Sequence, residues 1–271
     1  MTAKIKKVAI GGLGAIGAVL AKKLDAGIEG LELAAVSGRD IAKAERFVAT
    51  LKTPVPVVPL EQLAEVADIV VEAAPSSVMD QIALPALKAG RWLVVSSVGV
   101  LARSPHYIDL AREHGGRIFA PTGALIGLDA MLAAREGKIN SIKMVTRKPP
   151  GGLEGAPHLV ANNISVKGLT EPLCVFSGSA SEAIKGFPAN VNVAVALGLA
   201  GIGPDKTNIE IWADPGVDRN IHRIEVDADS ARFSMMIENI PSEENPRTGK
   251  ITALSVIALL RKMVAPLAVG T

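Results

Sequence analysis

Apolar positions follow two different rhythms along the chain, and the change comes near residue 120. Before it, short unbroken apolar runs alternate with segments of helical spacing. Lys7 to Ile10 is a strand candidate, and Ala15 to Leu24 follows as a helix with Ile16, Leu20 and Leu24 on one face. Leu31 to Val36 predicts the next strand, and Ile41 to Leu51 a helix with Asp40 as its N-cap. Val55 to Val58 reads as a short strand amid prolines, and Leu60 to Ala64 as a short helix. Ile69 to Glu72 predicts a buried strand, Val78 to Ala89 a helix stopped by Gly90, and Trp92 to Ser96 another strand. Pro105 to His114 and Arg117 to Phe119 complete the series as helix and strand. Strands without polar alternation are buried on both faces. The pattern therefore predicts an α/β fold, with an N-terminal Rossmann domain: a doubly wound parallel sheet covered by helices on both sides.

After the change, Ile139 to Thr146 alternates with period two, followed by a loop rich in proline and glycine, "RKPPGGLEGAP". Three more strand-like runs, Thr207 to Ala213, Ile221 to Asp227 and Ala231 to Glu238, are divided by "DPGVD" and "DADS" and predict an antiparallel meander. A long helix is expected to begin near Pro188, with Pro188 at N1, and a last helix covers Gly249 to Val264. The expected organisation is a dinucleotide domain over residues 1–122 and a second, α+β domain with a mixed or antiparallel sheet over residues 123–245. The C-terminal segment 246–271 is expected to pack back on the first domain, because a solitary helix needs an apolar partner.

Composition narrows the function classes. The 271 residues are 49% hydrophobic and 21% charged, as in ordinary globular proteins. Aromatics at 3% argue against a stacking surface for nucleic acid, and a net charge of +2 without basic blocks gives no polyanion-binding arm. A single cysteine, Cys174, excludes an internal disulfide framework and suits the cytoplasm. Lys4, Lys6 and Lys7 precede an apolar run that glycines interrupt at once, so it reads as a first strand and not as an export signal. No run approaches the roughly 18 apolar residues of a membrane helix.

Gly12, Gly14 and Gly17 spell G-x-G-x-x-G between a predicted strand and a predicted helix, the context in which the motif cradles a dinucleotide. One glycine allows the tight turn, one lets pyrophosphate approach, and one lets helix and strand pack. The helix start at Ala15 and Ile16 offers amides to the phosphates. About 20 residues on, where an acidic residue would favour NAD, stand Ser37, Gly38 and Arg39. An arginine beside a small hydroxyl residue suits a 2′-phosphate, so the cofactor is read as NAD or NADP. The plainer alternative for Arg39 is a solvated surface side chain. The loops "EAAPSS" and "SSVGVL" leave predicted strands at their carboxyl ends, and their small residues, Ala74, Pro75 and Ser97, would let a nicotinamide lie against backbone.

Of four histidines, His106 and His114 fall in a polar helix and His158 in the proline-glycine loop. His222 alternates with Ile224 and Val226, so a titratable group points with the apolar set. It is either a satisfied core histidine or a general acid/base. "FPANVNVAVALGLAG" places Asn190 and Asn192 near a helix start, where amides hold a carboxamide or carboxylate, or merely decorate the first turn. No metal site, such as H-E-x-x-H or paired Cys/His ligands, and no G-x-S-x-G elbow is present in the sequence.

Together "GGLGAIG", "SSVGVL", "PTGALIGLDA", "TRKPP", "FSGSASEAIKGFPANVNVAVALGLAG", "RNIHRIEV" and "NPRTGKITALSVIALL" resemble the L-aspartate dehydrogenase family over nearly the whole chain. The resemblance implies oxidation of L-aspartate with NAD or NADP to iminosuccinate, which becomes oxaloacetate and ammonia. It implies that His222 is the active-site histidine and that Ala124 and Asn190 contact the dinucleotide near its nicotinamide end; Asn192, a near neighbour, is expected to face substrate. Arg147 and Lys148 are candidates for the substrate carboxylate. The expected partners are small molecules only, with no nucleic acid and no membrane, and the open second sheet is expected to pair in a homodimer. The forward reaction would feed iminosuccinate to NAD biosynthesis. Rival readings are an amino-acid-linked reductase of the dihydrodipicolinate or homoserine type, and a non-catalytic NADP-binding sensor.

Overall fold

The computed structural model describes residues 5–188, 191–243 and 248–271. The chain divides into two units, residues 1–123 with 252–268, and residues 124–251 with 269–271.

The first unit runs β1 (Lys6–Gly11), α1 (Ala15–Asp25), β2 (Leu31–Ser37), α2 (Ile41–Val48), α3 (Leu63–Val66), β3 (Ile69–Glu72), α4 (Met79–Lys88), β4 (Trp92–Val95), α5 (His106–His114) and β5 (Arg117–Phe119). All strand pairs are parallel, in the order β2-β1-β3-β4-β5. Consecutive strands step outward one way to β2 and the other way to β5. The order therefore reverses beside β1, and an open α/β sheet holds its ligand at such a reversal. Every residue of β3 is buried, as is every residue of β4 after Trp92, which explains their unbroken apolar sequences.

The expected strand over Val55 to Val58 contracts to one bridge, Val57 beside Val36, with Val36 N–H donating to Pro56 and Val58 N–H to Val36. Pro54, Pro56 and Pro59 lack the N–H that a longer ladder needs. Leu20, Leu24, Val36 and Val71 form the core together with Val256, Ile257 and Leu260 of the final helix.

The second unit runs α6 (Leu128–Arg135), β6 (Ile139–Lys148), α7 (Pro157–Ala161), β7 (Leu173–Ser179), α8 (Ala180–Gly186), α9 (Asn192–Ala200), β8 (Thr207–Ala213), β9 (Asn220–Ala228) and β10 (Arg232–Asn239), and α10 (Lys250–Val264) follows it. Its sheet has the order β10-β9-β6-β8-β7 and is mixed. The expected meander holds only for β9 and β10. β6 inserts between β8 and β9, pairing parallel to the first and antiparallel to the second. β6 is ten residues long, alternates in burial from Ile142 to Lys148, and pairs along both edges. The long helix also begins later than expected. Pro188 lies in a turn, and α9 starts at Asn192 with Val191 as its N-cap.

Candidate functional site

β1 ends in a turn that only glycine can make. Gly12 has φ +109°, and a Cβ there would lie 2.5 Å from the Ala73 carbonyl oxygen. A Cβ on Gly17 would overlap the Gly12 carbonyl. Gly14 differs, because a Cβ on it would meet nothing within 4 Å. Packing requires the outer two glycines, whereas the middle one leaves open space at the start of α1. The first helical bond is Ala18 N–H to Gly14, so the amides of Ala15, Ile16 and Gly17 have no helical acceptor. No acidic side chain lies in this first turn and no side chain caps it. The result is a concave, amide-lined, partly positive cradle that fits a pyrophosphate.

Its rim comes from neighbouring strand ends. Gly12 N–H donates to the Ser37 carbonyl at 2.9 Å. Ser37 is buried, Gly38 half-buried and Arg39 exposed. Asp40 is committed elsewhere, accepting from Lys43 N–H at 2.9 Å as the N-cap of α2. Ala73 N–H donates to the Gly11 carbonyl, which sets Ala74 and Pro75 beside the glycine turn. At the end of β4 stands Ser97, whose backbone N–H and hydroxyl both donate to Glu72, at 2.8 and 2.9 Å.

In the second unit, β9 carries His222 with 2% exposure. Its register partner on β6 is Thr146, and the hydroxyl lies 3.1 Å from Nδ1. Lys148 is two residues beyond Thr146, hence on the same face, and is 6% exposed. Burial pushes the Lys148 ammonium down to about 8. Burial, and then the Lys148 charge, hold the His222 imidazole down to about 3. A neutral imidazole thus sits near a buried cation, an arrangement suited to moving a proton and holding an anionic substrate.

Arg147 does not join this group. Strand alternation turns it to the other face of β6, where it pairs with Asp214 at 2.8 Å and lies 5.0 Å from the Trp212 ring centroid. Asn192 opens α9 and is half-buried, and Asn190 lies outside the described residues. The Ala124 carbonyl accepts from the buried Asn239 amide at 3.2 Å. His106 and His114 are exposed, while His158 is held in α7 with its ring 5.3 Å from both Phe176 and Phe187. Thr146, Glu72 and Asn239, which hydrogen-bond to His222, Ser97 and Ala124, were not singled out from the sequence. Period two in β6 would have put Thr146 on the Lys148 face, but its pairing with His222 needs a register across 76 residues.

A family model described as "Aspartate dehydrogenase, C-terminal" matches residues 129–263, and one described as "Homoserine dehydrogenase, NAD binding domain" matches residues 12–121. Over 265 residues the chain is 63% identical to an L-aspartate dehydrogenase of Bradyrhizobium diazoefficiens, covering 98% of this chain and 94% of the relative. The chain belongs to the aspartate dehydrogenase family. A second relative, L-aspartate dehydrogenase 3 of Bordetella bronchiseptica, is 58% identical over 97% of each chain. The crystal structure of an aspartate dehydrogenase from Thermotoga maritima aligns with a TM-score of 0.74 at 25% identity, covering 98% of this chain and 99% of that one. The α/β class with a Rossmann unit and a mixed second sheet is therefore shared by this chain and its family. No helix among the described residues is long and apolar enough to cross a membrane.

Proposed function

We propose that this family member catalyses the reversible oxidation of L-aspartate to iminosuccinate, which gives oxaloacetate and ammonia, with NAD or NADP as cofactor. The observation that carries the reading is 63% identity over 98% of the chain to a protein named for that activity. The glycine cradle, with Ala15 and Ile16, holds the pyrophosphate, and Ala74, Pro75, Ser97, Ala124 and Asn190 serve the nicotinamide half. When bound, NAD or NADP accepts the hydride from C2 of aspartate. Lys148 holds a substrate carboxylate and Asn192 orients the substrate. His222 is the general acid/base: it takes a proton from the water that adds to the imine carbon, and returns one in reverse. Its Nδ1 faces Thr146, which leaves Nε2 for this work. Ser37, Gly38 and the exposed Arg39 form a site for the adenosine ribose that admits a 2′-phosphate.

The homoserine-type alternative has one observation in its favour, the match of residues 12–121, but residues 129–263 match the aspartate dehydrogenase model instead. We also propose a cytoplasmic homodimer, paired through the outer face of the second sheet, where Met236 is exposed. A screen of amino acids with NAD and with NADP tests the reading, following formation of reduced nicotinamide. Turnover with L-aspartate alone is expected. Turnover with homoserine supports the alternative, and cofactor binding without turnover of any substrate supports a sensor.

A further inference from the structure

Glu72 has no part in the mechanism above, yet it is a fully buried carboxylate at the sheet edge where the glycine cradle lies. Burying a carboxylate is expensive unless its oxygens are satisfied. Here one oxygen accepts Ser96 N–H at 3.0 Å and Ser97 N–H at 2.8 Å, the other accepts the Ser97 hydroxyl at 2.9 Å, and Ala74 N–H also donates to the carboxylate. Burial nevertheless pushes its carboxyl pKa up, against those hydrogen bonds. The single oxygen of a neutral amide could still accept the Ser96 and Ser97 N–H groups. What an amide cannot do at the second oxygen is accept the hydroxyl proton, because its NH2 would donate there and turn the serine over. An acid at this position therefore fixes the direction of the Ser97 hydroxyl.

We propose that Glu72 is a positioning residue that fixes Ser97 as a hydrogen-bond acceptor toward the bound dinucleotide. With its proton committed to Glu72, the half-buried Ser97 oxygen keeps its lone pairs for a ligand. The matching groups on the nicotinamide half are donors, namely the carboxamide NH2 and the ribose hydroxyls. The placement suits this: Glu72 pairs with Gly11 of β1 and with Val95 of β4, and Ala73 abuts Gly12, so Ser97 shares the strand edge of the cradle. The proposal rests on the reading of this edge as the NAD(P) site.

The test is cofactor binding without aspartate, by fluorescence titration with NADPH and NADH, so it stands apart from the assignment of the substrate. Glu72→Gln should weaken binding of both about tenfold, equivalent to about 1.4 kcal/mol. Binding of adenosine 2′,5′-bisphosphate, which lacks the nicotinamide half, should stay as in the wild type, a split that a merely damaged fold would not give. Ser97→Ala should lose as much, Ser97→Thr should keep most of the affinity, and the double variant Glu72→Gln/Ser97→Ala should be no weaker than either single variant. Should Glu72→Gln fail to fold, the Ser97→Ala and Ser97→Thr pair still decides. Wild-type affinity in Ser97→Ala, or additive losses in the double variant, would overturn the proposal. A wild type that binds neither nucleotide overturns the cofactor reading and this proposal with it, whereas cofactor binding without aspartate turnover overturns only the substrate.

Discussion

Burial lowers the pKa of Lys148, and burial together with the Lys148 charge lowers that of His222. Burial first, and the neighbouring ammonium second, keep the imidazole neutral down to about pH 3. In the free protein it is thus a base across the whole working range. In the proposed mechanism, a substrate carboxylate at Lys148 would offset its charge and raise the imidazole pKa. Replacing His222 by alanine should cost roughly 10²–10⁴ in kcat, the usual contribution of a general acid/base, with NADPH affinity kept. Steady-state kinetics and a binding titration check both halves. Lys148 sets the pH dependence. Its ammonium is charged below about 8 and loses its proton as pH rises through that value. The inhibition constant of a dicarboxylate lacking an amine should therefore be flat below pH 8 and rise above it. Lys148→Arg, whose side chain stays protonated, should remove the rise.

At the scale of elements, the glycine turn separates structure from function. Gly12 and Gly17 are required by backbone contacts, but Gly14 faces open space. Gly14→Ala should leave the unfolding free energy within about 0.5 kcal/mol, as for surface changes away from strained positions. The same change should raise KM for the cofactor, because its methyl stands where the pyrophosphate approaches. Denaturant melts and KM values measured together check this. The first unit was readable apart from the expected strand at Val55 to Val58, since parallel strands buried on both faces give unbroken apolar runs between helical spacings. The second unit was less so. Its edge strand β7 is half-exposed and bulged between Cys174 and Phe176, so its sequence shows no clean alternation. The insertion of β6 between β8 and β9 is a long-range pairing that no local pattern records. The start of α8 did leave a signal, a capping box of Ser179 with Glu182. His222 was legible as a polar residue in an apolar alternation, whereas its Thr146 partner was not. Arg147 and Lys148 stood side by side in sequence, but the period of the strand sends them to opposite faces.

At the scale of the whole molecule, the glycine cradle belongs to the first unit, and His222 with the buried Lys148 to the second. The two family models divide the chain in the same sense, at residues 12–121 and 129–263. Cofactor preference belongs to the first unit alone. Asp40 is committed to its helix cap, and in the proposed site Arg39 is the residue that would distinguish the two nucleotides. Arg39→Ala should raise KM for NADP by about tenfold, the loss of one charge-assisted contact, and leave KM for NAD nearly unchanged. The residues proposed to hold the substrate, Lys148 and Asn192, belong to the second unit. The measurement that tests it most directly is the appearance of reduced nicotinamide when the purified protein meets each amino acid in turn with NAD or NADP. Turnover with L-aspartate, abolished or nearly so in His222→Ala, is the predicted result. Turnover with another amino acid and none with L-aspartate would contradict it.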